Sequence, residues 1–275
     1  MRPRPAAAKL NWPMRYEISG ARVLTWALET HLVDHCNLRC QHCCTLSPQH
    51  PPRFVRVQDL ARDLAQAASV LKPSLFKLTG GEPLLHPALV ECLHAVRRSG
   101  ISEQVSLTSN GLLLPQAPDA VFRLLDRLTV SVYASAPLPE AVLARVAERC
   151  QTHGVLLTVK RIDRFQQMDP PAPHAIREAR QVFANCWLRN RCHLIRDGRL
   201  YTCTRPPHLG AHLGLPSLPE ADGVVLAGPD PLRRLLASLE SEQPLDSCRH
   251  CLGASGPWQA HRQVPADGHG AAAVS

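Results

Sequence analysis

Cys36-Asn-Leu-Arg-Cys40-Gln-His-Cys43 packs three thiols into one short stretch at C-x3-C-x2-C spacing. Three thiolates on one loop can wrap a single compact metal centre. A tetrahedral zinc ion takes four nitrogen or sulfur ligands, so it would need Cys44 or His42 as well. An iron–sulfur cluster is also held by thiolates. With three protein ligands it keeps one iron open to a substrate or cofactor. Buried, unligated cysteines are the alternative without chemistry, and three at this spacing argue against it.

A second group lies downstream: Cys186, Cys192, Cys203, Cys248 and Cys251. Asp197-Gly198 between apolar residues signals a tight hairpin, which would carry Cys186 or Cys192 close to Cys203. Cys248-Arg-His-Cys251 is a CxxC pair. Together these make a four-thiolate site, open to zinc as well as to iron. Cys92 on the apolar face of a helix and Cys150 near a helix end read as packing residues.

The chain has 275 residues and 11 cysteines. That is too long and too sparse in cysteine for a disulfide scaffold, and the count is odd. No apolar segment follows the basic residues 1–9, so no secretory signal is read, and a reducing, cytoplasmic setting is expected. No apolar run is long enough to span a bilayer, which leaves no membrane partner. The formal charge of +8 fits a soluble basic enzyme without demanding an anionic partner.

Positioning the thiols falls to alternating elements. Strands are expected at residues 24–33, 75–78, 104–108, 129–133 and 155–162. Helices are expected at 57–71, 87–98, 120–128 and 139–153. Such alternation implies parallel βαβ units with right-handed crossovers. A closed eight-unit barrel takes about 250 residues, so a partial barrel fits better, and no sixth strand can be placed. Pro170, Pro171 and Pro173 mark a boundary. The expected layout is a loosely ordered extension at 1–24, an α/β core at 25–170, a cysteine-rich domain at 171–252 with helices at 175–183 and 231–239, and a disordered tail at 253–275.

Three motifs at successive strand ends carry a resemblance. Cys36, Cys40 and Cys43 resemble the signature of the radical S-adenosylmethionine (SAM) superfamily. Gly80-Gly81-Glu82-Pro83 is similar to its GGE motif, and Ser109-Asn110-Gly111 resembles its ribose-approaching segment. The resemblance implies a partial (β/α)6-type barrel in which the three cysteines hold a [4Fe-4S] cluster and SAM chelates its open iron. One electron then cleaves SAM to a 5′-deoxyadenosyl radical, which abstracts a substrate hydrogen atom. Gly80 and Gly81 would let the backbone approach the ligand. Glu82 would meet the SAM ammonium, Asn110 its ribose and Ser131 its carboxylate. The backbone at His42 would meet the adenine. Lys160 or Arg161 could bind the SAM carboxylate or an anionic substrate.

The downstream cysteines resemble the shortened "twitch" form of the SPASM extension, which holds one auxiliary [4Fe-4S] cluster. On that resemblance Cys186, Cys203, Cys248 and Cys251 are the ligands, with Cys192 as a rival to Cys186, a structural thiol or a hydrogen-atom donor. The implied enzyme is a radical SAM oxidoreductase of natural-product type. It would oxidise a small molecule such as a sugar or aminocyclitol, with the auxiliary cluster as electron acceptor and a flavodoxin or ferredoxin as donor. A peptide-modifying enzyme or epimerase is the alternative. A zinc-dependent nucleic-acid binder is remote, because aromatic residues are only 4% of the chain and give few stacking platforms. Tyr133, Lys160, Arg161 and residues 164–174 are unranked candidate substrate contacts.

Overall fold

The computed structural model describes residues 16–265. Strands β1 (Ile18–Ser19) and β2 (Arg22–Val33) lead into helix α1 (Val57–Val70) and strand β3 (Leu71–Gly80). Then come α2 (Leu89–Ser99), β4 (Val105–Ser109), α3 (Asp119–Arg123), β5 (Arg127–Tyr133), α4 (Glu140–Thr152), β6 (Leu156–Ile162) and β7 (Arg164–Gln166). Beyond the prolines lie α5 (Ile176–Asn185), β8 (His193–Arg196), β9 (Arg199–Tyr201), α6 (Pro206–Leu213), α7 (Ser217–Asp222), β10 (Gly223–Val225), α8 (Pro231–Leu239) and β11 (Trp258–Ala260).

β2 through β6 pair in parallel in chain order. The missing sixth parallel strand comes from the cysteine-rich region: β8 pairs in parallel with β2, at Leu28 opposite His193. β9 and β10 extend that edge antiparallel. Asp197 and Gly198 both have positive φ (52° and 73°), as the two central residues of a type I′ hairpin require.

α1 buries Leu60, Leu64, Ala67 and Val70 at helical spacing, and α2 buries Leu89, Cys92, Leu93 and Val96. These faces cover one side of the sheet, where Phe76, Leu78, Val105, Leu107, Leu128 and Val130 are buried. Cys92 and Cys150 sit in this same core. Period-two alternation sends the intervening residues to the opposite, concave face, and they are polar: Lys77, Thr79, Ser106, Thr108, Thr129 and Ser131.

Several boundaries differ from expectation. β3 runs from Leu71 rather than 75, because its register with β2 begins at Val23. Pro73 is tolerated there, since β4 pairs only from Phe76 onward. α3 stops at Arg123, because Arg127 is already paired with Ser106 and Leu156. The expected extension over residues 1–24 is a paired strand by Ile18, and its residues 1–15 lie outside the described residues. The expected tail is ordered through residue 265. β11 pairs with β7, and Gln263 bridges back to Cys40. The reason is polar rather than apolar: Gln263 accepts from the Arg39 amide at 2.6 Å and donates to Cys40 Sγ at 3.5 Å. Residues 266–275 lie outside the described residues.

Candidate active site and auxiliary cysteine site

The loop after β2 carries the first three thiols. Its entry is pinned by Asp34, which accepts two bonds from Arg196 at 2.6 and 2.7 Å. Cys36 Sγ accepts from the Leu38 amide at 3.4 Å and from Asn110 Nδ2 at 3.6 Å. Cys43 Sγ and Thr45 Oγ1 are 3.3 Å apart. All three sulfurs line one cavity of about 550 Å³ on the concave face of the sheet. Burial pushes the Cys36 thiol up to about 12 and the Cys40 thiol up to about 11. A positively charged metal centre reverses that balance and deprotonates such thiols. Among the described residues no three His, Cys, Asp or Glu side chains close around a single ion. Three thiols facing one cavity are a donor set that suits a thiolate-held iron–sulfur cluster.

Gly80 and Gly81 are required by the protein's own backbone. A Cβ on Gly81 would lie 1.9 Å from the His35 carbonyl oxygen, and one on Gly80 (φ 129°) would lie 2.4 Å from that of Val33. The amides of Gly81 and Glu82 donate to Val33 and His35 at 2.7 and 3.1 Å. The two glycines thus clamp the end of β3 onto the cysteine loop, and both also line the cavity.

Glu82 is fully buried and is absent from the cavity wall. Its carboxylate accepts from Ser109 Oγ (2.8 Å), the Asn110 amide (2.8 Å) and the Leu84 amide (3.0 Å). Burial nevertheless pushes its carboxyl up to about 7. Asn110 lines the cavity, but its side chain also braces the cysteine loop, donating to Asn37 Oδ1 at 2.6 Å. Ser131 and Lys160 face the cavity in register with each other. Arg161 turns outward to Glu140 at 2.8 Å, so the strand period separates the two basic residues. His42 adopts a left-handed φ of 59° and is not part of the cavity wall. Tyr133 lines the cavity, stacked on His261 at 4.7 Å.

Sequence reasoning missed Glu29, His31 and Lys77. Lys77 Nζ lies 2.6 Å from Glu29 Oε2, and His31 Nε2 lies 3.3 Å from Glu29 Oε1. His31 Nδ1 is bonded to His208 Nε2 of α6 at 2.7 Å, and the two rings stack. All three missed residues line the cavity. The signal was available: in 76–79, 105–109 and 128–132 every second residue is polar, which marks a solvated concave face.

A second, smaller cavity is lined by Cys186, Cys203, Cys248 and Cys251 among apolar walls that include Met168 and Phe183. Gly253 explains part of the convergence. Its amide donates to Cys251 Sγ at 3.2 Å, and a Cβ there would sit 3.3 Å from Cys186 Sγ. Cys192 lines neither cavity; it is half-buried, and its thiol feels the charges of Glu29 and Lys77. Cys44 faces the large cavity. Four thiols in an apolar setting fit a cluster held without an open site. No helix among the described residues is long and apolar enough to cross a membrane.

The Radical SAM superfamily profile matches residues 31–169. Among curated proteins, the GTP 3′,8-cyclase of Microcystis aeruginosa (strain NIES-843 / IAM M-2473) is 36% identical over 117 residues, or 40% of this chain and 35% of that protein. The GTP 3′,8-cyclase of Synechococcus sp. (strain CC9902) is 39% identical over 112 residues, or 38% and 31%. The matched segment thus spans about a third of the length of these relatives. Among solved structures, BtrN in complex with AdoMet and 2-DOIA superposes with a TM-score of 0.53 at 13% identity. That superposition covers 86% of this chain and 96% of BtrN, a likeness of fold.

Proposed function

The chain belongs to the radical SAM superfamily, and on that premise we propose that it oxidises a small polyhydroxylated molecule, such as a sugar or aminocyclitol. In this reading Cys36, Cys40 and Cys43 hold the SAM-binding [4Fe-4S] cluster. Cys186, Cys203, Cys248 and Cys251 hold an auxiliary one. Bound there, the cofactors would supply a 5′-deoxyadenosyl radical able to take a hydrogen atom from an unactivated C–H, and a destination for the electron that follows.

The chain's own residues supply the rest. The observation that carries the reading is the wall of Ser106, Thr108, Thr129, Ser131 and Thr158, all facing the same cavity as the three thiols. Hydroxyl side chains both donate and accept, so this wall matches a substrate rich in hydroxyl groups. Support for SAM contact at Gly80, Gly81, Asn110 and Ser131 is that all four line that cavity. Glu82 would act through Ser109 and Asn110, to which it is bonded. When a secondary alcohol becomes a carbonyl, a C–H hydrogen atom, an electron and the O–H proton must all leave. Both ring nitrogens of His31 are taken, by His208 and Glu29, so the proton would leave to the solvent of the open cavity.

A nucleotide is the second reading, drawn from the name of the curated relatives and from the cavity cations Lys77, Arg127 and Lys160. Lys77 is already neutralised by Glu29, which leaves two cations for a triphosphate. The deciding experiment is anaerobic iron loading, followed by SAM and a strong reductant or reduced flavodoxin, with panels of deuterated cyclitols, sugars, nucleotides and peptides. Deuterium transfer into 5′-deoxyadenosine with a cyclitol or sugar, together with carbonyl product, is expected. Transfer only from a nucleotide or peptide overturns the substrate class, and no SAM cleavage overturns the whole reading.

A further inference from the structure

Arg205 is buried to 2% exposure and heads the fully buried side chains by volume among the described residues. It follows Cys203 by two residues and caps the start of α6. Its guanidinium points three ways. Nη1 donates to the carbonyl of Cys44, next to Cys43, at 3.0 Å. Nη2 pairs with Asp169. Nε is buried with no hydrogen-bond partner, in a side chain that lines the four-thiol cavity.

An unpartnered N–H in an apolar space is unfavourable, and such a group calls for an acceptor. The only polar groups of that cavity wall besides Ser247 and the two arginines, Arg189 and Arg205, are sulfurs, and the wall contains no acid. Asp169 balances Arg205 only in part, because its side chain is 41% exposed and screened by water. The reduction potential of an iron–sulfur cluster responds to net charge, to hydrogen bonds on its sulfurs and to solvent exposure. Adding an electron makes a four-thiolate cluster more negative, so a buried cation and an N–H donor both favour the reduced form.

We propose that Arg205 sets the reduction potential of the auxiliary cluster, with Nε–H donating to a cluster or thiolate sulfur and the buried charge stabilising the reduced state. Bound there, the cluster would accept the one electron that leaves the substrate-derived radical as the substrate carbon is oxidised, and Arg205 would tune that acceptor. The bond to Cys44 also fixes the guanidinium between the two cysteine loops. This inference rests on the auxiliary-cluster reading of Cys186, Cys203, Cys248 and Cys251.

The test uses the full chain with Cys36, Cys40 and Cys43 all changed to Ala, so that only the second cluster gives a signal. It is loaded anaerobically and titrated by potentiometry with electron paramagnetic resonance. With Arg205 intact, about four irons per chain are expected. Arg205→Gln should shift the one-electron equilibrium at least tenfold toward the oxidised form, about 59 mV more negative. Arg205→Lys keeps the charge and loses the planar donor, so it should fall between. A midpoint for Arg205→Gln within threefold of the parent overturns the proposal. So does loss of iron in both variants, which would make Arg205 a brace for the loop rather than a tuning charge. A parent that holds no iron overturns the auxiliary-cluster reading itself, and the Arg205 inference with it.

Discussion

The ammonium of Lys77 and the carboxylate of Glu29 meet at 2.6 Å across β2 and β3, inside the cavity that the first three thiols share. Burial alone would raise the Glu29 carboxyl, but the bond from His31 and the charge of Lys77 outweigh it and hold the group at about 2. The folded value lies below the unfolded value of about 4.3. The stabilisation is therefore present above about pH 4.3 and is lost as pH falls toward 2. Lys77→Met leaves a buried carboxylate without its cation and should cost about 2–4 kcal/mol at pH 7. The pair variant Glu29→Gln with Lys77→Met should recover more than half of that. Denaturant unfolding of the metal-free chain measures these and the Glu29→Gln single variant, and a double-variant loss equal to the sum of the two single losses would show that the pair is not coupled.

Gly81→Ala places a methyl group 1.9 Å from the His35 carbonyl oxygen, where no flexible side chain can yield. The end of β3 must separate from the cysteine loop, so the first cluster should fail while the distant four-thiol site survives. Iron content is expected to fall from about eight to about four per chain, with SAM cleavage abolished. Retention of the full iron content would show that the clamp is dispensable.

Glu82 has the opposite sign to Glu29. Its folded value is raised to about 7 by burial. The native state then keeps a proton that the unfolded chain releases above about pH 4.3. Stability is greatest below pH 4.3 and declines as pH rises to 7, by at most about 1.4 kcal/mol per pH unit. Glu82→Gln removes the titration, so the stability difference between wild type and variant should shrink between pH 5 and pH 7.5. The variant should also be less stable at pH 5: its amide oxygen can accept from Ser109 and Leu84, which share one carboxyl oxygen, but its amide nitrogen cannot accept from the Asn110 amide. A difference that stays constant across that range would mean Glu82 does not titrate there.

The parallel core was legible because burial writes itself as period: Leu60, Leu64 and Ala67 on a helix, Val105 and Leu107 on a strand. The GGE segment was legible as a motif but not as a mechanism. Nothing in Gly80-Gly81-Glu82 reveals that the glycines clear the carbonyls of Val33 and His35, since those contacts span about 45 residues. The sixth strand was hidden because β8 has only four residues and pairs with β2 across a separation of more than 160 residues. The ordered end at residues 253–265 was hidden for a different reason. Gln263 is held by hydrogen bonds to the cysteine loop, and such bonds leave no apolar pattern to read.

Cys186 and Cys192 were rival ligands on sequence, six residues apart with one hairpin to serve both. The cavity lining favours Cys186. Cys186 ends α5 at the apolar cavity with Cys203, Cys248 and Cys251, and Gly253 packs against its sulfur. Cys192 lines neither cavity, and burial pushes its thiol up to about 12. Cys186→Ala should therefore lose about four irons per chain and the auxiliary resonance, with the SAM-binding cluster intact. Cys192→Ala should keep both clusters. If Cys192→Ala also keeps full turnover, the thiol serves packing alone. A Cys192→Ala variant that retains both clusters but gives product with altered deuterium content would instead identify it as the hydrogen-atom donor of an epimerase. Iron and sulfide quantification beside paramagnetic resonance spectra decides the ligand question, and loss of the second cluster in Cys192→Ala rather than Cys186→Ala would reverse the assignment.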